Sequence, residues 1–212
     1  MYNKLQYISQ GKTIDAQLYN IHQALDNGCD WIQMRFKTNN IHDAYTLAEA
    51  VKIICSEYLA NFIVNDNVQL AQQIAADGVH LGLNDMSIQE ARNILGTTKI
   101  IGATANTFEE ILNKTVEGCD YIGLGPFRFT KTKQNLSPIL GIEGYRTILE
   151  KIKEHNLAIP VYAIGGIKLD DVEPLLETGI HGIAVSGLIT KSQNPMHLIN
   201  QLNEKLYANV NI

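Results

Sequence analysis

Short apolar runs recur along this chain, separated by segments in which apolar residues repeat at helical spacing. Four runs lie at residues 5–8, 62–64, 100–103 and 159–164. Four more follow similar groups of small and polar residues, at Gly28-Cys29-Asp30, Ala75-Ala76-Asp77, Gly118-Cys119-Asp120 and Gly179-Ile180-His181. Such residues are typical of a helix end that turns into a buried strand. The pattern predicts eight strands, with helices between them at positions that include residues 43–59, 68–76, 86–95, 108–117 and 145–155.

Strict alternation of strands and helices indicates a parallel sheet, because each helix carries the chain back across the sheet. Eight such units in 212 residues predict an α/β protein with one (β/α)8 TIM barrel over residues 1–212 and a frayed tail at 208–212. A doubly wound open sheet is the alternative fold, but no G-x-G-x-x-G motif follows the first strand. In a TIM barrel, chemistry gathers at the carboxyl ends of the strands and in the loops that follow them.

Composition narrows the possible partners. The net charge is −5, and no basic run is interleaved with aromatic residues, so we expect no nucleic-acid surface. We find no signal peptide and no apolar stretch approaching the ~20 residues of a membrane span, and therefore expect a cytoplasmic protein without a membrane partner. The three cysteines, Cys29, Cys55 and Cys119, are widely spaced, so we interpret them as small buried apolar residues rather than disulfide partners or zinc ligands.

Counted along the chain, the second of the eight runs is the one that follows Gly28-Cys29-Asp30, and it carries an unusual set of polar side chains. Alternation along a strand places Gln33, Arg35 and Lys37 on one face. A doubly cationic face inside a parallel barrel indicates either a bound anion or an ion pair with a neighbouring strand. The third and fourth runs end near Asp66 and Asp85, which could together hold Mg²⁺ and substrate phosphates. For Asp66 the alternative is a cap on the helix that begins near residue 67, whereas Ser87 and Glu90 already form a capping box beyond Asp85.

The remaining strand ends offer hydroxyl groups and bare backbone. The sixth run stops at Gly125-Pro126 and precedes Thr130, Thr132 and Lys133, whose donors suit a phosphate or pyrophosphate. Gly165-Gly166 and Val185-Ser186 end the last two runs, where TIM barrels often bind a phosphate monoester, although tight turns would equally explain the glycines. Thr104 is either a hydroxyl donor or an ordinary strand end, and we expect His80 to be a packed, structural histidine. Two candidate anion sites therefore lie on one rim of the barrel. One is cationic and bears carboxylates, at the ends of the second, third, fourth and sixth runs, and the other is neutral and mainly backbone, at the ends of the seventh and eighth. Together they suggest a transferase that joins two phosphorylated substrates.

As a set, these motifs resemble the thiamine phosphate synthase family over residues 5–202. They match in order and spacing as Gln33-x-Arg35-x-Lys37, Asn65-Asp66, Gly78-Val79-His80-Leu81-Gly82-x-x-Asp85, Gly123-Leu124-Gly125-Pro126 with Thr130-x-Thr132-Lys133, Ile164-Gly165-Gly166-Ile167, and Val185-Ser186. The resemblance implies condensation of 4-amino-2-methyl-5-hydroxymethylpyrimidine diphosphate with thiazole phosphate, giving thiamine phosphate and pyrophosphate. It implies a pyrimidine-methyl cation and Mg²⁺-assisted departure of the diphosphate.

The resemblance also assigns the site residues. The diphosphate would contact Arg35, Lys37, Asn65 and Lys133, and Mg²⁺ would bind Asp66 and Asp85. Gln33 would lie beside the pyrimidine. The thiazole phosphate would be held by Thr130, Thr132, Gly166, Val185 and Ser186. Arg35, Lys37, Lys133 and Thr104 are the candidate catalytic residues.

Four positions depart from the family pattern: Leu83 replaces a usual glutamine, Phe129 a common proline, Thr104 a common serine, and Asn106 a frequent histidine. Leu83 and Phe129 bear on the shape of the pocket.

Three alternative functions remain. A thiazole tautomerase relative would not need the diphosphate residues, and a non-catalytic barrel would only bind a phosphometabolite. A phosphosugar isomerase or aldolase is the third, although runs five to eight lack a Schiff-base lysine. We also expect residues 127–137 to form a mobile lid. The sequence gives no indication of oligomeric state.

Overall fold

The computed structural model describes residues 2–129 and 138–208. Eight parallel strands form a closed barrel in which each strand pairs with the next and β8 pairs with β1. The strands are β1 (Leu5–Ile8), β2 (Trp31–Met34), β3 (Asn61–Asn65), β4 (Gly78–Leu81), β5 (Ile100–Ala105), β6 (Tyr121–Leu124), β7 (Val161–Ile164) and β8 (Gly182–Val185). The predicted TIM barrel is therefore confirmed.

Helices connect the strands and cover the outside of the barrel. They are α1 (Ile14–Asp26), α2 (Ile41–Glu57), α3 (Val68–Gln73), α4 (Ile88–Leu95), α5 (Phe108–Val116), α6 (Gly141–Glu154), a short 3-10 helix (Leu169–Asp171), α7 (Val172–Glu177), α8 (Gly187–Thr190) and α9 (Pro195–Tyr207). In the described part of the chain, no helix is both long and apolar enough to cross a membrane.

Side-chain caps fix where several helices begin. Ser87 and Glu90 form the predicted capping box at α4, and Thr107 and Glu110 form a second one at α5. The side chain of Asn67 accepts the Leu70 N–H at 2.9 Å and caps α3. The alternative interpretation of Asp66 as the cap of this helix is therefore wrong, and its carboxylate is available for another role.

The apolar core has two parts because the strand residues alternate in direction. Outward-facing residues such as Ile32, Val64 and Ile122 pack with the helices in one large buried cluster. A smaller cluster of Trp31, Ile63, Tyr121 and Tyr162 fills the interior of the barrel. The Trp31 ring lies 5.1 Å from both the Tyr121 and the Tyr162 ring centroids. These aromatic rings close the barrel interior below the carboxyl ends of the strands.

Some boundaries differ from the sequence prediction. The hydrogen-bonded part of β2 ends at Met34, whereas the apolar and polar alternation continues to Lys37. β5 extends to Ala105, and α6 begins at Gly141 rather than at residue 145. Residues 209–212, most of the predicted frayed tail, lie outside the described residues, and Ala208 follows the end of α9. The prediction of buried, unpaired cysteines is confirmed for all three thiols.

Candidate active site

A cavity of about 990 Å³ opens at the carboxyl ends of the strands. Its lining includes ten of the residues that the sequence singled out: Gln33, Arg35, Lys37, Asn65, Asp66, Asp85, Thr104, Gly166, Val185 and Ser186. Thr130, Thr132 and Lys133 lie outside the described residues. We call this space the mouth cavity. It brings together side chains from strands on opposite sides of the barrel.

The first part of the site is the loop after β2, which carries Arg35 and Lys37. Ser9 Oγ accepts the Arg35 N–H at 2.9 Å, and the Gln17 amide donates to Arg35 O at 3.1 Å. Gln17 is completely buried, so its amide is a rigid anchor for this loop. These bonds hold the backbone beyond β2 in place, and the side chain of Arg35 lines the mouth cavity.

Lys37 forms an ion pair with Asp66 at the end of β3. Lys37 Nζ lies 2.6 Å from Asp66 Oδ2, and the two side chains are 64% and 31% exposed. The alternative of an ion pair with a neighbouring strand therefore holds for Lys37, although both side chains still line the mouth cavity. Asp66 has a positive φ of 66°, a backbone conformation that is uncommon outside glycine.

Asp85 accompanies Asp66 at this edge of the cavity. Its Oδ2 accepts the Gly82 N–H at 2.6 Å, so Asp85 also closes the turn after β4, a structural role that the sequence did not predict. Burial raises the pKa of Asp66, but hydrogen bonds from Lys37 and Asp85 and the Lys37 charge outweigh it, so this pKa lies below its usual value. Burial and the adjacent Asp66 raise the pKa of Asp85.

These two carboxyl groups fit a magnesium ion that also binds phosphate. In residues 2–129 and 138–208, no group of three or more His, Cys, Asp and Glu side chains forms a metal centre of protein ligands alone. Mg²⁺ commonly takes one or two carboxylates, several waters and substrate phosphate oxygens. Asp66 and Asp85 both line the mouth cavity and lie close enough to perturb each other's pKa, so one cation could contact both carboxylates.

Gln33 and Asn65 lie side by side on β2 and β3. Gln33 is 2% exposed, and its Nε2 donates to Asn65 Oδ1 at 2.7 Å. Its Oε1 is buried without a hydrogen-bond partner in the described structure. A buried polar atom without a partner is costly. Since Gln33 lines the mouth cavity, this oxygen is an acceptor that a bound ligand with an N–H group would satisfy.

A chain of buried polar groups crosses the floor of the mouth cavity. The Gln6 amide donates to the Tyr121 hydroxyl at 3.1 Å, which lies 3.0 Å from His80 Nδ1. His80 Nε2 lies 3.0 Å from Thr104 Oγ1. All four side chains are at most 7% exposed. The expectation of a packed His80 is therefore confirmed, and Thr104 is a hydroxyl group that lines the cavity.

The opposite side of the cavity consists mainly of backbone. Gly165 and Gly166 have positive φ values of 90° and 73°, so the tight-turn explanation of these glycines holds. A Cβ on Gly166 would lie 3.0 Å from Arg128 Cβ. The Ser186 hydroxyl donates to Ile8 O at 2.6 Å. Ser186 therefore presents its backbone to the cavity while its hydroxyl proton is already used.

Arg128 holds this backbone region in place, and the sequence analysis did not identify it. Its guanidinium donates to both oxygens of Asp171, at 2.6 and 2.9 Å, and to Gly166 O at 2.7 Å. The hydrogen bonds between Arg128 and Asp171 raise the pKa of Arg128 and lower the pKa of Asp171. The only local signal was a cation two residues after Gly125-Pro126, because its partner is 43 residues away.

The departures from the family pattern lie near the cavity. Leu83 lines it and is 39% exposed, whereas Phe129 is 60% exposed. Asn106 is buried, and its amide donates to Gly125 O, so it supports the end of β6. Gln6 and Tyr121 were missed as site residues because each lies inside an apolar run, where a polar group is easily taken for packing.

Comparisons with known proteins point to one family. The family model described as thiamine monophosphate synthase matches residues 5–189. The thiamine-phosphate synthase of Flavobacterium johnsoniae is 68% identical over 210 residues, 99% of each chain, and that of Flavobacterium psychrophilum is 66% identical over 97% of this chain and 100% of its own. The structure of thiamine phosphate pyrophosphorylase from Pyrococcus furiosus superposes with a TM-score of 0.84 at 33% identity, covering 97% and 96% of the chains.

Proposed function

Since this chain belongs to the thiamine monophosphate synthase family, we propose that its mouth cavity performs the transfer for which that family is named. The substrates are 4-amino-2-methyl-5-hydroxymethylpyrimidine diphosphate and thiazole phosphate, and the products are thiamine phosphate and pyrophosphate. The observation that carries this proposal is a single cavity with a cationic, carboxylate-bearing side at β2 to β4 and a backbone-lined side at β7 and β8. These two sides suit a diphosphate and a monophosphate.

In this proposal, the diphosphate lies beside Arg35, Lys37 and Asn65. Asn65 Oδ1 already accepts from Gln33, which leaves the Asn65 Nδ2 hydrogens for an anion. Lys133 is a further contact predicted from the sequence, although it lies outside the described residues. Cations placed before the reaction stabilise the charge that develops on a leaving group without reorganising during the reaction.

We assign Asp66 and Asp85 as the residues that hold Mg²⁺. When bound, the ion supplies neutralisation of the charge that builds up on the departing pyrophosphate. The ion pair between Lys37 and Asp66 keeps this carboxylate ionised, since the ammonium group favours the charged form. Asp66 thereby stays ready to accept a second cation.

The bond changes place few demands on protein nucleophiles. The C–O bond between the pyrimidine methylene and the diphosphate breaks, and its electron pair leaves with pyrophosphate. The lone pair of the thiazole nitrogen then forms the C–N bond to the methylene carbon of the pyrimidine-methyl cation. Gln33 Oε1 accepts from the pyrimidine amino group, and Thr104 contacts the same substrate from β5. Gly166, Val185 and Ser186, together with Thr130 and Thr132, hold the thiazole phosphate.

A thiazole tautomerase is the nearest competing function on this scaffold. It handles no diphosphate, so the combination of Arg35, Lys37, Asp66 and Asp85 in one cavity favours the synthase. A non-catalytic binding protein would likewise have no reason to release pyrophosphate. The cytoplasmic location, the mobile lid at residues 127–137, most of which lie outside the described residues, and the lack of nucleic-acid and membrane partners stay predictions.

The test is to incubate the purified protein with both substrates and Mg²⁺ and to follow both products. We expect thiamine phosphate and pyrophosphate in equal amounts, and no product after addition of a chelator. Asp66→Asn and Asp85→Asn should each slow the reaction by roughly 10²–10³-fold. Glu154→Gln, at an exposed site at the end of α6, is the control and should retain full activity.

The possible failures separate the parts of the proposal. If thiazole phosphate binds but no pyrophosphate forms under any condition, the transfer chemistry is wrong and the tautomerase or the binding protein takes its place. If both products form and neither carboxamide variant changes the rate or its dependence on Mg²⁺, the function stands and the metal assignment is wrong.

A further inference from the structure

The buried chain of Gln6, Tyr121, His80 and Thr104 has a defined direction. Gln6 Nε2 can only donate, so the Tyr121 oxygen accepts this bond at 3.1 Å. The hydroxyl proton of Tyr121 then needs an acceptor. His80 Nδ1 at 3.0 Å is the acceptor that the described residues offer it. His80 Nδ1 is therefore without a hydrogen, and the ring hydrogen is on Nε2.

The same logic extends to Thr104. His80 Nε2–H donates to Thr104 Oγ1 at 3.0 Å, so that the threonine oxygen is an acceptor in this bond. With its oxygen accepting from His80, the hydroxyl hydrogen of Thr104 can turn towards the mouth cavity, which Thr104 lines. A doubly protonated His80 would remove the acceptor for the buried Tyr121 hydroxyl proton, which costs free energy at a site that is 1% exposed.

Two glycines within strands make room for this chain. A Cβ on Gly102 would lie 2.1 Å from Tyr121 Cζ, and a Cβ on Gly123 would lie 3.1 Å from His80 Cε1. Glycine inside a strand weakens the strand and often marks a close approach of another group. At these two positions the close groups are the two rings that connect Gln6 with Thr104. The rings are also fixed from below, because Tyr121 packs against Trp31 and Tyr162.

We propose that Gln6 and Tyr121 are positioning residues that keep the hydrogen of His80 on Nε2 and thereby present Thr104 to the substrate as a hydrogen-bond donor. Both side chains line the mouth cavity, but in this proposal each acts through His80 and not on the reacting atoms. This inference rests on the proposed function only in its last step, the contact between Thr104 and the pyrimidine substrate. The tautomer itself is a property of the unliganded enzyme.

The tautomer is measured directly by nitrogen-15 NMR of the histidine side chains, which distinguishes a protonated from an unprotonated ring nitrogen. We expect the unliganded enzyme to show His80 with a hydrogen on Nε2, identified by comparison with His80→Gln. Gln6→Glu replaces the donor by a carboxylate acceptor, so the Tyr121 hydroxyl should reverse and the hydrogen of His80 should move to Nδ1. An unchanged His80 tautomer in Gln6→Glu would overturn the proposal, whether or not the enzyme is an active synthase.

Steady-state kinetics then test the last step. Thr104→Val keeps the shape of the side chain and removes the hydroxyl, and should lower kcat/KM about tenfold, the effect of one hydrogen bond. Gln6→Glu should cause a similar loss, and the double variant should lose no more than either single variant. Effects that multiply in the double variant would show that Gln6 acts by another route and would overturn the proposed route through Thr104.

Tyr121→Phe covers the case in which a buried carboxylate prevents Gln6→Glu from folding. It retains the ring that packs on Trp31 and removes only the hydroxyl. We expect a mixture of His80 tautomers and a smaller loss of kcat/KM than in Thr104→Val, with no further loss when the two are combined. A single Nε2–H tautomer in this variant would show that Tyr121 does not set the direction of the chain.

Discussion

Gln33 illustrates how one orphaned atom defines a specificity contact. Its Nε2 is bound to Asn65 at 2.7 Å and its buried Oε1 lacks a partner in the described structure. We expect Gln33→Met to raise KM for the pyrimidine diphosphate about tenfold, because about 1.4 kcal/mol is typical of one hydrogen bond. KM for thiazole phosphate should not change. Steady-state kinetics with each substrate varied in turn check this, and equal changes in both constants would contradict it.

Ser186 shows a second residue-scale distinction, between a side chain and its backbone. The hydroxyl donates to Ile8 O at 2.6 Å and is not available to a phosphate. Ser186→Ala should therefore change KM for thiazole phosphate by less than about threefold, since the backbone N–H remains. Gly166→Ala is the contrasting variant: its Cβ would lie 3.0 Å from Arg128 at φ 73°. We expect that variant to raise the same KM by about 5- to 150-fold, from roughly 1–3 kcal/mol of strain. The reverse order would show that the Ser186 side chain binds the phosphate.

Residue roles were predictable where the residue type limits the chemistry, and less so where neighbours compete. Lys37 and Asp66 could be placed at one cavity because parallel strands end on the same edge. From the sequence, only Asp66 was considered as a cap of α3 and Asn67 was overlooked, because both residue types are good caps and the two positions are adjacent. The positive φ of Asp66 and the hydrogen bond from Leu70 to Asn67 decide it in the structure.

Arg128 links the first residues after β6 to the segment that follows β7. The Arg128 guanidinium donates hydrogen bonds to the Asp171 carboxylate and to Gly166 O. The hydrogen bonds from Arg128 lower the pKa of Asp171. This ion pair therefore stabilises the fold above the unfolded-state pKa of about 4, and its stabilisation is lost as the pH falls through the lower folded-state pKa. We expect Asp171→Asn to lower the free energy of unfolding by about 1 kcal/mol at pH 7, a value reduced for the partial exposure of Arg128.

Urea unfolding at several pH values measures this difference. The gap between the two proteins should begin to narrow near pH 4 and close once the pH has fallen below the lowered pKa of folded Asp171. Arg146→Ala is the control, since Arg146 pairs with Glu143 within α6 and both side chains are largely exposed. It should change the free energy of unfolding by less than about 0.5 kcal/mol. A gap between Asp171→Asn and the original protein that stays constant from pH 7 to pH 3 would exclude the ion pair as its cause.

Element positions followed from apolar runs because the strands of a parallel barrel are covered on both sides. The capping box of Ser87 and Glu90 marks the start of α4 at Ile88, whereas the apolar pattern alone placed it at residue 86. The end of β2 was misplaced because side chains continue to alternate through Arg35 and Lys37 after the ladder of hydrogen bonds has ended at Met34. Alternation reports the direction of side chains, and those two residues do face the mouth cavity, so the error in the boundary left the site prediction intact.

At the scale of the whole molecule, the barrel wall separates an apolar layer between strands and helices from an interior that contains buried polar groups. Apolar residues between strands and helices were predictable from local periodicity. The polar chain inside the barrel was not, because Gln6 and Tyr121 are 115 residues apart and meet only when the barrel closes. Function followed from six motifs that match a known family in order, and the closed barrel explains why residues from so many strands meet in one cavity.

Burial across this molecule also predicts the behaviour of its thiols. Burial is the main cause that raises the pKa of Cys29, Cys55 and Cys119 to about 12. At pH 8 such a thiol is ionised in only about one molecule in 10⁴, and the thiolate is the reactive form. We expect none of the three to react with iodoacetamide in the folded enzyme within an hour, and all three to react in concentrated urea.

Labelling should therefore follow unfolding of the whole barrel, because the three cysteines lie in one cluster between strands and helices. With increasing urea, the extent of modification of each cysteine, measured by peptide mass, should rise at one common midpoint that matches the loss of fluorescence of Trp31, which is fully buried. Glu154→Cys provides an exposed thiol as the positive control. If one native cysteine reacts early, at a lower urea concentration than the others, its part of the barrel opens separately and the cooperative description fails at that position.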